Sequence, residues 1–147
     1  MREVEVVPAT AAELDAIERI ENASFPKPWC RAFFAEELRL PGRLSLVASR
    51  DGRVLGYLFA MWIFEEMHVN KIAVAPELRR QGIADALMAH ALTFAQEHDV
   101  EAISLEVRQS NESAQAFYAH LGFETTYIRK RYYPDGEAAL VMTMKLD

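Results

Sequence analysis

Long apolar runs are what this chain most lacks: no stretch approaches the ~18 residues needed to cross a bilayer. Its start, Met1-Arg2-Glu3-Val4-Glu5, alternates charge with aliphatic side chains and holds no secretion-leader core. A cytoplasmic location without a membrane partner is therefore expected. Cysteine is nearly absent. The lone thiol, Cys30, excludes an internal disulfide and a cysteine-built metal site, and it suits a reducing compartment. With no clear base nearby, it reads as an ordinary packed or partly exposed thiol. Net positive charge is missing too. At −6 the chain lacks the basic footprint that a phosphate backbone requires, so nucleic acid is not expected as a partner. Repeats, low-complexity tracts and linkers are also missing. His68, His90, His98 and His120 show no metal-ligand spacing, and no metal is expected.

What remains is an ordinary globular composition in 147 residues, enough for one domain spanning residues 1–147. Val4 to Val7 reads as a strand ended by Pro8, and Thr10 caps a helix over Ala11 to Ala23. Two prolines make Phe25 to Trp29 a loop. A second helix runs from Arg31 to Leu40, stopped by Pro41-Gly42. Strand-like runs at Leu44 to Arg50 and Val54 to Phe64 flank Asp51-Gly52, a strong hairpin signal. Met67 to Val74 is a further strand. A long helix is expected over Arg80 to His98, with Ile83, Leu87, Met88, Ala91 and Ala95 at helical spacing. The strand Ala102 to Val107 follows, then a helix from Glu112 to Leu121 between the cap Asn111 and Gly122. Phe123 to Arg131 and Ala138 to Lys145 close the chain around Pro134-Asp135-Gly136. This order predicts an α/β (α+β) fold: a mixed, mostly antiparallel sheet of about seven strands with helices on both faces.

The most informative stretch is Ile72-Ala73-Val74-Ala75-Pro76-Glu77-Leu78-Arg79-Arg80-Gln81-Gly82-Ile83-Ala84. A buried strand runs through a short turn into a long helix, whose first-turn amides (Gln81, Gly82, Ile83, Ala84, Asp85) have no partner inside the helix. Such amides suit a pyrophosphate. Gly82 and Ala84 allow close backbone approach, and Arg79 and Arg80 add charge. The spacing equally suits a helix start with a surface arginine pair. A Walker-type loop is excluded by its missing second glycine and lysine, and a dinucleotide fingerprint by its missing glycines.

Alternation on the strand puts Ser104, Glu106 and Arg108 on one side, opposite Ile103, Leu105 and Val107. Glu106 there is either a base, with burial raising its pKa, or an ion-pair partner of Arg108 or an edge-exposed side chain. Tyr118, on the Ala114-Phe117-Tyr118-Leu121 face, reads first as core, though a buried phenol wants a partner for its hydroxyl. Tyr132 and Tyr133 suit either a binding groove or strand packing. Glu66 either attracts an amine or caps a solvated strand end.

Together, Arg79-Arg80-Gln81-Gly82-Ile83-Ala84 after Ile72-Ala73-Val74 resembles the acyl-CoA motif of the GNAT superfamily of N-acetyltransferases. The resemblance continues through Leu105-Glu106-Val107-Arg108-Gln109-Ser110-Asn111, Ala116-Phe117-Tyr118, Leu121-Gly122-Phe123 and Arg129-Lys130-Arg131-Tyr132-Tyr133-Pro134. With the Phe25 to Trp29 segment it looks like the ribosomal-protein-alanine N-acetyltransferases, the RimI type. The resemblance implies acetyl-CoA as co-substrate, with its pantetheine arm along Ile72, Ala73 and Val74. It places the pyrophosphate on the amides from Arg80 to Asp85, beside Arg79, and a further cofactor contact at Asn111. It implies Glu106 as base and Tyr118 as acid, with Tyr132 and Tyr133 toward the acceptor; Glu66 joins them as a candidate acceptor contact by its charge alone. That acceptor would be a protein or peptide N-terminus, possibly of a ribosomal protein, and the enzyme a monomer or weak dimer. Ala84 departs from the family's commoner glycine, and its methyl should be tolerated.

Overall fold

A computed structural model of the chain describes residues 3–146. Met1, Arg2 and Asp147 lie outside it, and with them the first residues of the stretch examined for a leader. The expected strand order is present with shifted ends: β1 (Glu5–Pro8), α1 (Leu14–Ser24), α2 (Arg31–Arg39), β2 (Arg43–Arg50), β3 (Arg53–Ile63), β4 (Glu66–Val74), α3 (Ile83–Glu97), β5 (Ala102–Arg108), α4 (Glu112–Leu121), β6 (Glu124–Arg129) and β7 (Ala139–Lys145). No helix among the described residues is long and apolar enough to cross a membrane.

Most boundary signals act as their chemistry suggests. Thr10 and Glu13 form a reciprocal capping box, with the Thr10 amide donating to Glu13 Oε1 at 2.7 Å, although the first turn is a tight 3-10 turn. Asp51 and Gly52 both take positive φ, 53° and 78°, the pairing that a two-residue hairpin of matching twist requires. Two of the shifted boundaries have a plain physical cause. Pro8 belongs to β1 and pairs with Leu46, because β1 is a sheet edge where a missing N–H costs nothing. The helix expected from Arg80 begins at Ile83, because Arg80 (φ 65°) and Gly82 (φ 79°) both adopt left-handed backbone.

The seven strands form one sheet in the order β1-β2-β3-β4-β5-β7-β6. All neighbours are antiparallel except β4 and β5. α3 and α4 cover one face over Leu58, Met67, Ile103 and Leu105, with Leu87, Met88 and Tyr118 coming from the helices. α1 and α2 cover the other through Ile17, Ile20 and Phe34 against Val47, Tyr57 and Phe59.

Two features of β4 shape everything that follows. Phe59 pairs with Lys71 and Ala60 with Val69, so Asn70 is an extra residue, a β-bulge that bends the strand. Consecutive residues Asn70 and Lys71 consequently both serve the α1/α2 face. Pairing between β4 and β5, in turn, covers only Glu66–His68 against Ala102–Ser104. Beyond that seam the two parallel strands part, and a notch opens through the sheet.

Gly56 of β3 faces the far end of β4 at close quarters. A Cβ there would lie 2.6 Å from the Ala73 carbonyl oxygen and 3.3 Å from Val74 Cα. Gly56→Ala is therefore expected to lower unfolding free energy by roughly 1–3 kcal/mol in a urea titration, the usual cost of overpacking a rigid neighbour.

Candidate active site

The notch has a polar wall at each end. On the β4 side, Ile72, Ala73 and Val74 pair with Leu58, Tyr57 and Gly56 of β3, while their other edge has lost β5. An extended amide-containing arm can complete that edge as an added strand would. Past β4 the chain makes a 3-10 turn at Pro76–Leu78 and then the left-handed steps at Arg80 and Gly82. The first α3-type bond runs from the Ala86 amide to the Gly82 carbonyl at 3.0 Å. The amides of Gln81, Gly82, Ile83, Ala84 and Asp85 thus have no backbone acceptor among the described residues, and alternating backbone hands gather them into an anion-binding concavity. Arg79 turns back, its Nε donating to the Val74 carbonyl at 3.4 Å, and Arg80 is exposed beside it. These donors fit the pyrophosphate and pantetheine of a coenzyme A thioester. Asp85 is the acidic residue of the first turn of α3. Asn111 caps α4, its Oδ1 accepting from the Ala114 amide and Ser113 Oγ at 3.2 Å each.

Glu106 stands on the α1/α2 side of β5, as alternation requires. Its side chain is 15% exposed and makes two bonds that the sequence did not disclose. Oε2 lies 2.8 Å from His68 Nε2, and Oε1 accepts from the Tyr132 hydroxyl at 3.2 Å. Asn70 Oδ1 stands 2.8 Å from the other ring nitrogen of His68. His68 and Asn70, two residues apart on β4, share this face by ordinary strand alternation. Arg108 is not the partner of Glu106: it bonds Asp135 Oδ2 at 2.9 Å and Glu137 Oε1 at 2.8 Å, and lies 4.0 Å over the Tyr133 ring.

These contacts set the local acid–base balance. The hydrogen bond from His68 outweighs burial and holds the Glu106 carboxyl below the ordinary carboxylate range, opposite to the rise expected from burial alone. The same bond raises the His68 pKa above its usual 6.5. Tyr118 reports from the opposite face. It is buried, packed edge-on against Phe117 and Phe123, and burial pushes its phenol up to about 12. No described residue hydrogen-bonds its hydroxyl.

Glu106, His68, Asn70 and Tyr132 line a cavity of about 400 Å³ with Trp29, Phe33, Met61, Glu37 and Arg43. Tyr133 and Glu66 are not part of that lining. Tyr133 instead anchors the loop before β7 through Arg108, and Glu66 is exposed at the opposite end of β4 from Ile72–Val74. His68 and Asn70 share a face by ordinary alternation, but their reach to Glu106 depends on β4 and β5 being parallel neighbours, which no periodicity announces.

A family model described as "Acetyltransferase (GNAT) family" matches residues 14–123. The chain belongs to that family. It is an acetyl-CoA-dependent N-acetyltransferase, and its sheet and helices are those of the GNAT fold. The [ribosomal protein bS18]-alanine N-acetyltransferase of Escherichia coli is 32% identical over 137 residues, covering 91% of this chain and 92% of that protein. An N-alpha-acetyltransferase of Saccharolobus solfataricus is 35% identical over 147 aligned positions, covering 91% and 88%. The crystal structure of the Escherichia coli ribosomal-protein-S18-alanine N-acetyltransferase superposes with a TM-score of 0.91 at 30% identity, covering 99% of this chain and 95% of that one.

Proposed function

We propose that this GNAT enzyme acetylates the free α-amine at the N-terminus of a protein, with Glu106 backed by His68 as base and Tyr118 as acid. The observation that carries the reading is the Glu106 carboxylate, bonded to His68 and Tyr132, in a cavity on the α1/α2 side of the split sheet. The kinship to protein N-terminal acetyltransferases supports the acceptor class, and a ribosomal-protein N-terminus is the first candidate.

Acetyl-CoA supplies a thioester carbonyl to an attacking amine. The nitrogen must lose two protons, one from the ammonium before attack and one as the tetrahedral intermediate collapses, while the departing sulfur gains one and the other leaves to solvent. Glu106, ionised throughout the working range, attracts the ammonium. Asn70 Oδ1 holds a proton on His68 Nδ1, which leaves Nε2, once neutral, to take the ammonium proton through Glu106. An imidazole with a raised pKa suits an α-amine near ~8 better than a lysine near ~10.4, because the transfer is less uphill. Tyr118, protonated at every working pH, donates its hydroxyl proton to the sulfur from the other face of the notch.

One consequence is a pH signature. With peptide saturating, kcat rises as pH climbs through the raised pKa of His68, above 6.5. In His68→Gln that step disappears and kcat falls about 10–100-fold at its plateau. An unchanged step would remove His68 from the proton path.

The acceptor is tested by mass spectrometry with Ala-, Ser- and Met-starting peptides, each also N-terminally blocked and carrying an internal lysine. Acetyl on free N-termini alone is expected. Acetyl on the lysines of blocked peptides would overturn the acceptor in favour of a lysine acetyltransferase, and no peptide product at all would point to a small-molecule amine.

A further inference from the structure

α1 carries a buried charge that the chemistry above leaves unused. Glu21 has no solvent exposure, although it sits on the buried face of α1 just before the Phe25–Trp29 loop. Its Oε1 accepts from the Tyr57 hydroxyl of β3. Its Oε2 accepts the backbone N–H of Trp29 at 2.9 Å and lies 3.0 Å from Lys71 Nζ. Lys71 is itself only 13% exposed, and its ammonium stands 3.7 Å over the Phe25 ring and 4.4 Å from the Trp29 ring.

A buried ion pair is weak evidence for stability, because apolar replacements of similar volume are often as stable. What this one does is geometric. The ammonium is held between a helix carboxylate and two loop aromatics, which suits it to fix the loop at both ends. Its carbon stem comes from the bulge in β4, next to Asn70, and without that irregularity alternation would send Lys71 to the opposite face of the sheet, away from the loop. Trp29 then packs on Phe33 at 4.4 Å, and both rings line the cavity that holds Glu106. A wall one residue away from its fixed point would otherwise be free to swing on two prolines.

We propose that Glu21 and Lys71 are positioning residues that lock the Phe25–Trp29 loop, so that Trp29 forms a rigid wall gating the acceptor's first side chain. The proposal rests on the reading that this cavity receives the acceptor amine. The pair touches neither the amine nor the thioester. Its effect is on which acceptors fit and how tightly, with the acetyl-CoA side untouched.

The test uses the full-length chain with Lys71→Met, Lys71→Arg and the double variant Glu21→Gln with Lys71→Met. The double variant removes both charges yet keeps an oxygen to accept the Trp29 N–H and an amide nitrogen to donate to the Tyr57 hydroxyl, so it is the one expected to fold if Lys71→Met does not. Two readouts are taken. In a Trp62→Phe background, Trp29 is the sole tryptophan, and its emission and anisotropy report the loop without any substrate. The double variant should show red-shifted emission and lower anisotropy at an unchanged melting temperature. Steady-state kinetics should show peptide KM rising about tenfold or more, with acetyl-CoA KM unchanged and discrimination among Ala-, Ser- and Met-starting peptides flattened. Lys71→Arg, which keeps the charge, should restore part of both signals. Unchanged emission and peptide KM in a stable double variant would overturn the proposal. So would parallel losses in kcat and both KM values that merely track a lower melting temperature. If the wild type itself acetylates no peptide, the acceptor reading fails, while the fluorescence arm still decides whether the pair locks the loop.

Discussion

Glu106→Gln should lower kcat for peptide acetylation by about 10²–10⁴-fold while leaving acetyl-CoA affinity unchanged. Glutamine keeps the volume and an oxygen for the Tyr132 hydroxyl, but it loses the negative charge that, in the proposed mechanism, draws in the ammonium and completes the proton path to His68. The side of the notch proposed for the cofactor, Ile72–Val74 and the start of α3, makes no bond to this side chain. Stopped-flow or steady-state kinetics with isothermal titration of the cofactor separates the two effects, and a matched loss of cofactor affinity would mark Glu106 as structural. The substitution also carries a stability signature whose sign follows from the two pKa shifts. Glu106 lies below its ordinary 4.5, so its contribution is complete above 4.5 and fades as pH falls through the lowered value. His68 lies above its ordinary 6.5, so its contribution is complete below 6.5 and fades as pH rises through the raised value. The melting-temperature gap between wild type and Glu106→Gln is thus widest between pH 4.5 and 6.5 and narrows on either side.

Tyr118→Phe is expected to produce a loss of similar size, about 10²–10⁴-fold in kcat, with little change in stability. Its ring packs on Phe117 and Phe123, and phenylalanine fills the same space. The hydroxyl satisfies no described residue, so removing it strands no buried partner. With its pKa at about 12, the phenol also adds no titration to the working pH range. The wild-type and Tyr118→Phe profiles should therefore run parallel on a logarithmic rate axis, displaced but not reshaped. A large drop in melting temperature, or a fall in cofactor affinity that accounts for the rate, would return Tyr118 to the core as packing alone.

Patterns that repeat along the chain were legible in the sequence; irregularities were not. Alternation on β5 placed Glu106 on its correct side, and the apolar spacing of α3 gave its buried residues Ile83, Leu87, Met88, Ala91 and Ala95. That helix starts three residues later than the sequence predicts, because left-handed backbone at Arg80 has no signature in an arginine. The rise expected in the Glu106 pKa was reversed for a similar reason. Burial can be estimated from a strand pattern, but the partner that outweighs it, His68, comes from β4, a strand paired with β5 only in space. Tyr133 resembles Tyr132 in sequence and differs from it in space, since only Tyr132 reaches Glu106 while its neighbour lies under Arg108. Glu21 sits on an amphipathic helix at a position where burial of a carboxylate could not be anticipated without Lys71 from β4.

The short seam between β4 and β5 bears on cooperativity of unfolding. Three residue pairs join a β1–β4 sheet to a β5–β7–β6 sheet, so the ladder is thinnest beside the proposed active site. A coenzyme A thioester seated in the notch would act as a missing rung between these two halves. At a concentration about 100 times its dissociation constant, such a ligand adds about 2.7 kcal/mol to the folded state by mass action alone. Amide protons along Ile72–Val74 and Leu105–Arg108 would then exchange far more slowly, and two loosely joined halves would melt as one.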